Sequence, residues 1–67
     1  MNAYESAIDN AVKFALLVQE LVDFKNGTDY DQHWGAEFDT RCNALALAMN
    51  VTRFQLINDL WVSAATR

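Results

Sequence analysis

Hydrophobic residues in the first third of the chain recur at the spacing of one helical face. From Tyr4 to Val22 they follow each other at alternating intervals of four and three residues. This predicted inner stripe consists of Tyr4, Ile8, Ala11, Ala15, Val18 and Val22, widened by Ala7, Phe14 and Leu21. Gly27 suits the left-handed conformation that often follows a helix. We therefore predict a long helix over residues 2–24.

A second helix is predicted to begin at Thr28, whose hydroxyl can accept a hydrogen bond from the backbone N–H of Asp31. Its apolar face is formed by Tyr30, Trp34, Phe38, Cys42, Leu45 and Met49. Asn50 is expected to end this helix. Hydrophobic residues also alternate between Trp34 and Phe38, so a short strand over residues 34–38 remains an alternative.

The segment Thr52-Arg53-Phe54-Gln55 has the pattern of a capping box and predicts a third helix over residues 53–66. Its predicted inner face consists of Phe54, Ile57, Trp61 and Ala64, with Leu56 and Leu60 beside it. Proline is absent, and no linker or repeat divides the chain. The fold expected is an all-α module of two or three helices, in a single domain spanning residues 1–67.

The small size of the chain predicts self-association. Sixty-seven residues lie near the lower limit for an independent core, and the single cysteine cannot form an intrachain disulfide. Hydrophobic residues make up 52% of the chain, which is a high proportion for so small a protein. Several of them fall outside the predicted stripes. We predict a homodimer or partner interface, with a core position as the alternative for each residue. The interface residues are Leu16, Leu17, Phe24 and Leu47, which lie off the stripes, and Trp61, for which an interface is the alternative to the inner face of the third helix.

The charge balance favours a protein partner over a nucleic acid. Nine acidic residues against five basic ones give a net charge of −4, which opposes attraction to phosphate backbones. Four of the acids lie within eleven residues and form a candidate cluster for docking to a basic protein surface, although such clusters usually serve solubility. They are Asp29, Asp31, Glu37 and Asp39.

No uninterrupted apolar run approaches the ~18 residues of a membrane span, and the N-terminus lacks the features of an export signal. The lone thiol agrees with a reducing compartment. We therefore expect no membrane partner and a place in the cytosol of a bacterial host.

Residues 45–60, LALAMNVTRFQLINDL, resemble the helix–turn–helix part of ribbon-helix-helix regulators of the Arc and MetJ type. The matching residues are Leu45, Ala46, Met49, Val51, Thr52, Arg53, Leu56 and Ile57, with Asn50 in place of the usual glycine. The resemblance implies a DNA-binding regulator with Arg53 and Gln55 as DNA contacts. It also implies a strand before the first matched helix, but residues 32–38 do not offer basic side chains there.

Nothing in the sequence predicts catalysis, a cofactor or a metal. Asp29, His33 and Glu37 share one helical face, which is more typical of a solvated surface than of a metal site. Cys42 lies on the apolar face and is expected to be a buried, unreactive thiol. The function predicted is stoichiometric binding by a small acidic module, as a phage- or mobile-element-type inhibitor or adaptor of a host protein. The alternative is the ribbon-helix-helix regulator.

Overall fold

The computed structural model describes residues 3–27 and 34–66, which form three α-helices. They are α1 (Ala3–Lys25), α2 (Trp34–Met49) and α3 (Arg53–Ala65). The all-α prediction is confirmed for this part of the chain. The alternative prediction of a strand over residues 34–38 is wrong, because α2 begins at Trp34 and its hydrophobic residues have the period of a helix. The predicted cap at Thr28 and the side chain of Tyr30 lie outside the described residues.

The three helices share one hydrophobic core. Glu20 of α1 contacts Arg41 near the middle of α2, and Lys13 lines the same groove as Ala48 near the end of α2, so α1 and α2 run in opposite directions. The buried residues of the core are Leu17, Val18, Leu21, Phe38, Cys42, Leu45, Ala46, Leu56, Leu60 and Ala64. Phe14, Val22 and Ile57 pack against this cluster and are partly buried.

The core-facing side of α1 differs from the predicted stripe. Leu17, predicted to lie on an interface, is only 2% exposed and belongs to the core, whereas Tyr4 and Ile8 of the predicted stripe are exposed. Intervals that alternate between three and four residues have an average period of 3.5. Because an α-helix has 3.6 residues per turn, residues with this spacing move gradually around the helix and do not stay on one side. The packing of α2 and α3 therefore decides which side of α1 is buried.

The inner face of α3 is also rotated relative to the prediction. Leu56, Leu60 and Ala64 are buried, while Phe54 is 85% exposed and Trp61 is 44% exposed. The prediction that Phe54 and Trp61 face the core is therefore wrong. Both sets of residues have helical spacing, so the period alone cannot distinguish them.

The connection between α2 and α3 is fixed by backbone and side-chain hydrogen bonds. Asn50 adopts the left-handed conformation, with φ of 57°. Its N–H donates to the Leu47 carbonyl at 3.2 Å, and the Val51 N–H donates to the Ala46 carbonyl at 3.1 Å. This pair of bonds is the Schellman arrangement that ends many helices. Thr52 Oγ1 then accepts from the Gln55 N–H at 3.0 Å and caps α3. The predicted end at Asn50 and the cap at Thr52 are confirmed.

Candidate functional site

A line of exposed hydrophobic side chains follows the outer side of α1. Four large residues at intervals of four, which we call the outer α1 stripe, are between 49 and 75% exposed. They are Tyr4, Ile8, Val12 and Leu16. Residues four apart lie one helical turn apart on the same side, so these side chains form a continuous ridge. Sequence reasoning assigned Tyr4 and Ile8 to the core and did not consider Val12, although the regular interval of four could have indicated a second face.

Acidic side chains border this stripe. Glu5 and Asp9 line a shallow groove together with Ile8 and Val12. Asp9 also accepts a hydrogen bond from Lys13 Nζ at 2.9 Å, one turn further along α1, and both side chains remain about half exposed. The outer α1 stripe is thus an apolar ridge with carboxylates beside it.

A second exposed apolar surface lies on α3. Phe54, Trp61 and Val62 are large exposed hydrophobic residues, and Asn58 and Ala65 between and after them are exposed as well. At about 100° per residue these five positions fall within roughly 100° of the helix circumference, on the side opposite Leu56 and Leu60. We call this surface, formed by Phe54, Asn58, Trp61, Val62 and Ala65, the α3 outer face.

The predicted interface residues do not form one surface. Leu16 belongs to the outer α1 stripe, and Trp61 belongs to the α3 outer face. Leu47 is exposed near the end of α2, and Phe24 is exposed near the end of α1. Leu17, as described above, lies in the core, so its assignment to the interface is wrong.

The predicted acidic cluster and the predicted DNA contacts meet at one ion pair. The guanidinium of Arg53 on α3 donates to the carboxylate of Asp39 on α2. Gln55, the second predicted DNA contact, donates from its side-chain amide to Asp59 Oδ1 at 2.9 Å. Glu37 is exposed in the first turn of α2. The other two acids of the cluster, Asp29 and Asp31, lie outside the described residues.

A second ion pair joins α1 to α2. Arg41 donates to Glu20, and this hydrogen bond raises the pKa of the Arg41 guanidinium above its ordinary value, against the opposing effect of burial. Within residues 3–27 and 34–66, three of the four basic side chains are therefore paired with a carboxylate: Lys13, Arg41 and Arg53. These pairs leave little unneutralised positive charge to attract phosphate groups.

A narrow groove of about 250 Å³ runs between α1 and α2. Its lining residues are Lys13, Leu16, Leu17, Arg41, Ala44, Leu45 and Ala48. Ligand pockets commonly enclose about 300–1,000 Å³, so this groove lies just below that range and has room for a single side chain of a partner.

Within residues 3–27 and 34–66, the side chains with candidate chemistry do not converge at one place. Cys42 is a free thiol with no exposed surface, and burial raises its pKa above the ordinary value. The described part of the chain holds no group of three or more His, Cys, Asp or Glu side chains placed to bind a metal ion. Of the residues Asp29, His33 and Glu37, only Glu37 lies in that part. No helix within it has the length and apolar character that a bilayer span requires.

Comparisons with protein-family models, with curated proteins and with solved structures find no match to this chain.

Proposed function

We propose that this protein is a small acidic protein-binding module that acts stoichiometrically, by occupying the surface of another protein, and not as an enzyme. The observation that carries the proposal is the outer α1 stripe, whose four large hydrophobic side chains are about half exposed or more. Contiguous exposed apolar surface on a small protein commonly marks a binding site for another macromolecule.

The spacing of the stripe suits one mode of recognition. A helix that lies in the hydrophobic groove of a partner presents its anchors at intervals of three and four residues. The outer α1 stripe offers anchors on four consecutive turns, from Tyr4 to Leu16. Complete burial of such a side chain contributes about 1.5–3 kcal/mol. Since these side chains are already partly covered, each would contribute roughly half of that value.

The charges around the stripe indicate the chemistry of the partner. Glu5 and Asp9 border its apolar residues, and the whole chain carries a net charge of −4. A partner whose apolar groove has lysines or arginines at its rim would therefore be favoured, mainly through faster association. We place the protein in the cytosol of a bacterial host, as a phage- or mobile-element-type inhibitor or adaptor of a host protein.

A DNA-binding regulator is the second candidate. It is favoured by the helix–turn–helix over residues 45–60, with its left-handed Asn50 and the cap at Thr52. We rank it second because residues 34–38 are helical where the ribbon-helix-helix pattern needs a strand. In addition, Arg53 is paired with Asp39, and a DNA contact would have to break that pair.

Two assays with the same protein separate the candidates. The first is affinity capture of a binding protein from bacterial lysate, using the unmodified chain and the Val12→Ser variant as baits. The second is electrophoretic mobility shift with the DNA upstream of its own gene, using the unmodified chain and Arg53→Ala. We expect the unmodified chain to capture a protein that the Val12→Ser bait does not capture. We also expect no sequence-specific shift of the DNA. A sequence-specific shift that is lost with Arg53→Ala would replace the proposal with the DNA-binding regulator.

A further inference from the structure

The α3 outer face contains no charged residue. The two charged residues within α3 point elsewhere: Arg53 is paired with Asp39 of α2, and Asp59 lines a groove with residues of α1, among them Ala3 and Asn10. The α3 outer face is therefore aromatic and aliphatic, with the amide of Asn58 as its polar group, and the exposed Gln55 at its border donates to Asp59.

This absence of charge decides which occupant fits the face. Each copy of the chain carries a net charge of −4, so two copies repel each other over most of their surface. The outer α1 stripe would bring Glu5 and Asp9 of one copy near those of another. The α3 outer face is a surface on which two acidic molecules can meet without the carboxylates that border the outer α1 stripe.

We propose that the α3 outer face binds the same face of a second copy, with the two α3 helices antiparallel about a twofold axis. A self-complementary patch of this kind is what a twofold interface requires. Antiparallel alignment also places the N-terminus of each helix dipole beside the C-terminus of the other. This surface is separate from the outer α1 stripe, so the proposal neither rests on the proposed function nor fails with it.

The residues of the face pair well in one antiparallel register. With the axis between residues 59 and 60, Phe54 lies opposite Ala65 of the other copy, so a large side chain meets a small one. Asn58 then lies opposite Trp61, whose indole N–H can donate to the amide oxygen of Asn58. The indole N–H of Trp61 thus has an acceptor across the axis, and each contact occurs twice.

The size of the contact indicates a weak dimer. A helix of 13 residues is about 20 Å long, and the face has only three large exposed side chains per copy. Stable interfaces bury about 1,200–2,000 Å² in total, and three large side chains per copy are few for an area of that size. We expect half-dissociation at micromolar concentration.

Sedimentation equilibrium tests this inference with the full chain over about 1 to 100 μM. The unmodified protein should rise from one to two chain masses of 7.6 kDa. Asn58→Asp, which places two carboxylates beside the axis, should weaken the dimer at least tenfold, and so should Phe54→Ser. The control is Val12→Ser on the outer α1 stripe, which should dimerise like the unmodified protein.

Circular dichroism would verify that each variant keeps its helix content, as expected of substitutions at exposed positions. The inference is overturned by a monomer at every concentration. It is also overturned by a dimer that survives both α3 substitutions, and by a dimer that Val12→Ser dissociates.

Discussion

The guanidinium of Arg53 on α3 donates to the carboxylate of Asp39 on α2, which joins two residues that are fourteen positions apart in sequence. Considered alone, Arg53 indicated a DNA contact and Asp39 indicated docking to a basic surface. Together they form an interhelical ion pair on either side of the Asn50–Thr52 connection. Neither residue can serve its predicted role at full strength while the pair is intact.

The contribution of this pair can be measured by a double-mutant cycle with Asp39→Ala and Arg53→Ala. Both side chains are nearly half exposed, so we expect a coupling free energy of about 0.2–1 kcal/mol in urea unfolding. The control cycle is Asp9→Ala with Lys13→Ala, a pair within one helix that should couple by about 0.3–0.5 kcal/mol. A coupling of zero between Asp39 and Arg53 would mean that the pair does not stabilise the packing of α2 on α3.

The rotation of α3 predicts opposite effects of truncating its two faces. Leu60→Ala removes a side chain with no exposed surface and should lower the free energy of unfolding by about 2–5 kcal/mol. Phe54→Ala, on the exposed face, should change it by less than about 0.5 kcal/mol when measured well below the concentration of dimerisation. If chemical denaturation gave the larger loss for Phe54→Ala, the inner face deduced from the sequence would be the correct one.

The α2–α3 connection depends on two local devices that can be tested separately. Thr52→Ala removes the acceptor of the Gln55 N–H and should cost about 1 kcal/mol. Asn50→Ala places an alanine in a left-handed conformation and should cost about 1–2 kcal/mol, whereas Asn50→Gly should be neutral or stabilising. Thermal or urea unfolding checks both expectations. Equal stabilities for Asn50→Ala and Asn50→Gly would be inconsistent with a left-handed residue at this position.

Burial of Cys42 predicts a pH dependence of stability. Because burial raises the pKa of this thiol in the folded chain, the unfolded chain ionises first, near the ordinary value of 9.0. The contribution of Cys42 to the free energy of unfolding should therefore be constant below about pH 9 and decrease as pH rises through and beyond that value. Urea unfolding between pH 7 and 10 measures this slope, and Cys42→Ala should reduce it. An identical slope in Cys42→Ala would assign the dependence to lysine or tyrosine residues.

Sequence reasoning was most accurate where a local interaction determines the structure. Gly27 is left-handed, Asn50 ends α2 and Thr52 caps α3, as predicted, because each depends on a few neighbouring backbone groups. It failed for Leu17 and Phe54, whose burial depends on how the other helices are placed. Two helical faces of similar apolar character can be read from α1 and from α3, and periodicity cannot choose between them.

The partner surface was predictable only in part, for the same reason. The excess of hydrophobic residues indicated that some would remain exposed, and Leu16, Phe24 and Leu47, which lie off the predicted stripes, are exposed. Most of the outer α1 stripe was missed, because Tyr4 and Ile8 were assigned to the core and Val12 was not considered. The Arg53–Asp39 pair was missed as well, because a contact between two helices leaves no signal in their separate sequences.

Binding of a protein partner by the outer α1 stripe is tested most directly by a calorimetric titration of the captured partner. The titrants are the unmodified chain, Val12→Ser and the matched variant Val62→Ser on the α3 outer face. We expect a fixed ratio of one chain per partner site, a loss of at least about tenfold in affinity for Val12→Ser, and unchanged affinity for Val62→Ser. Full affinity in Val12→Ser together with loss in Val62→Ser would contradict the claim and move the partner surface to α3.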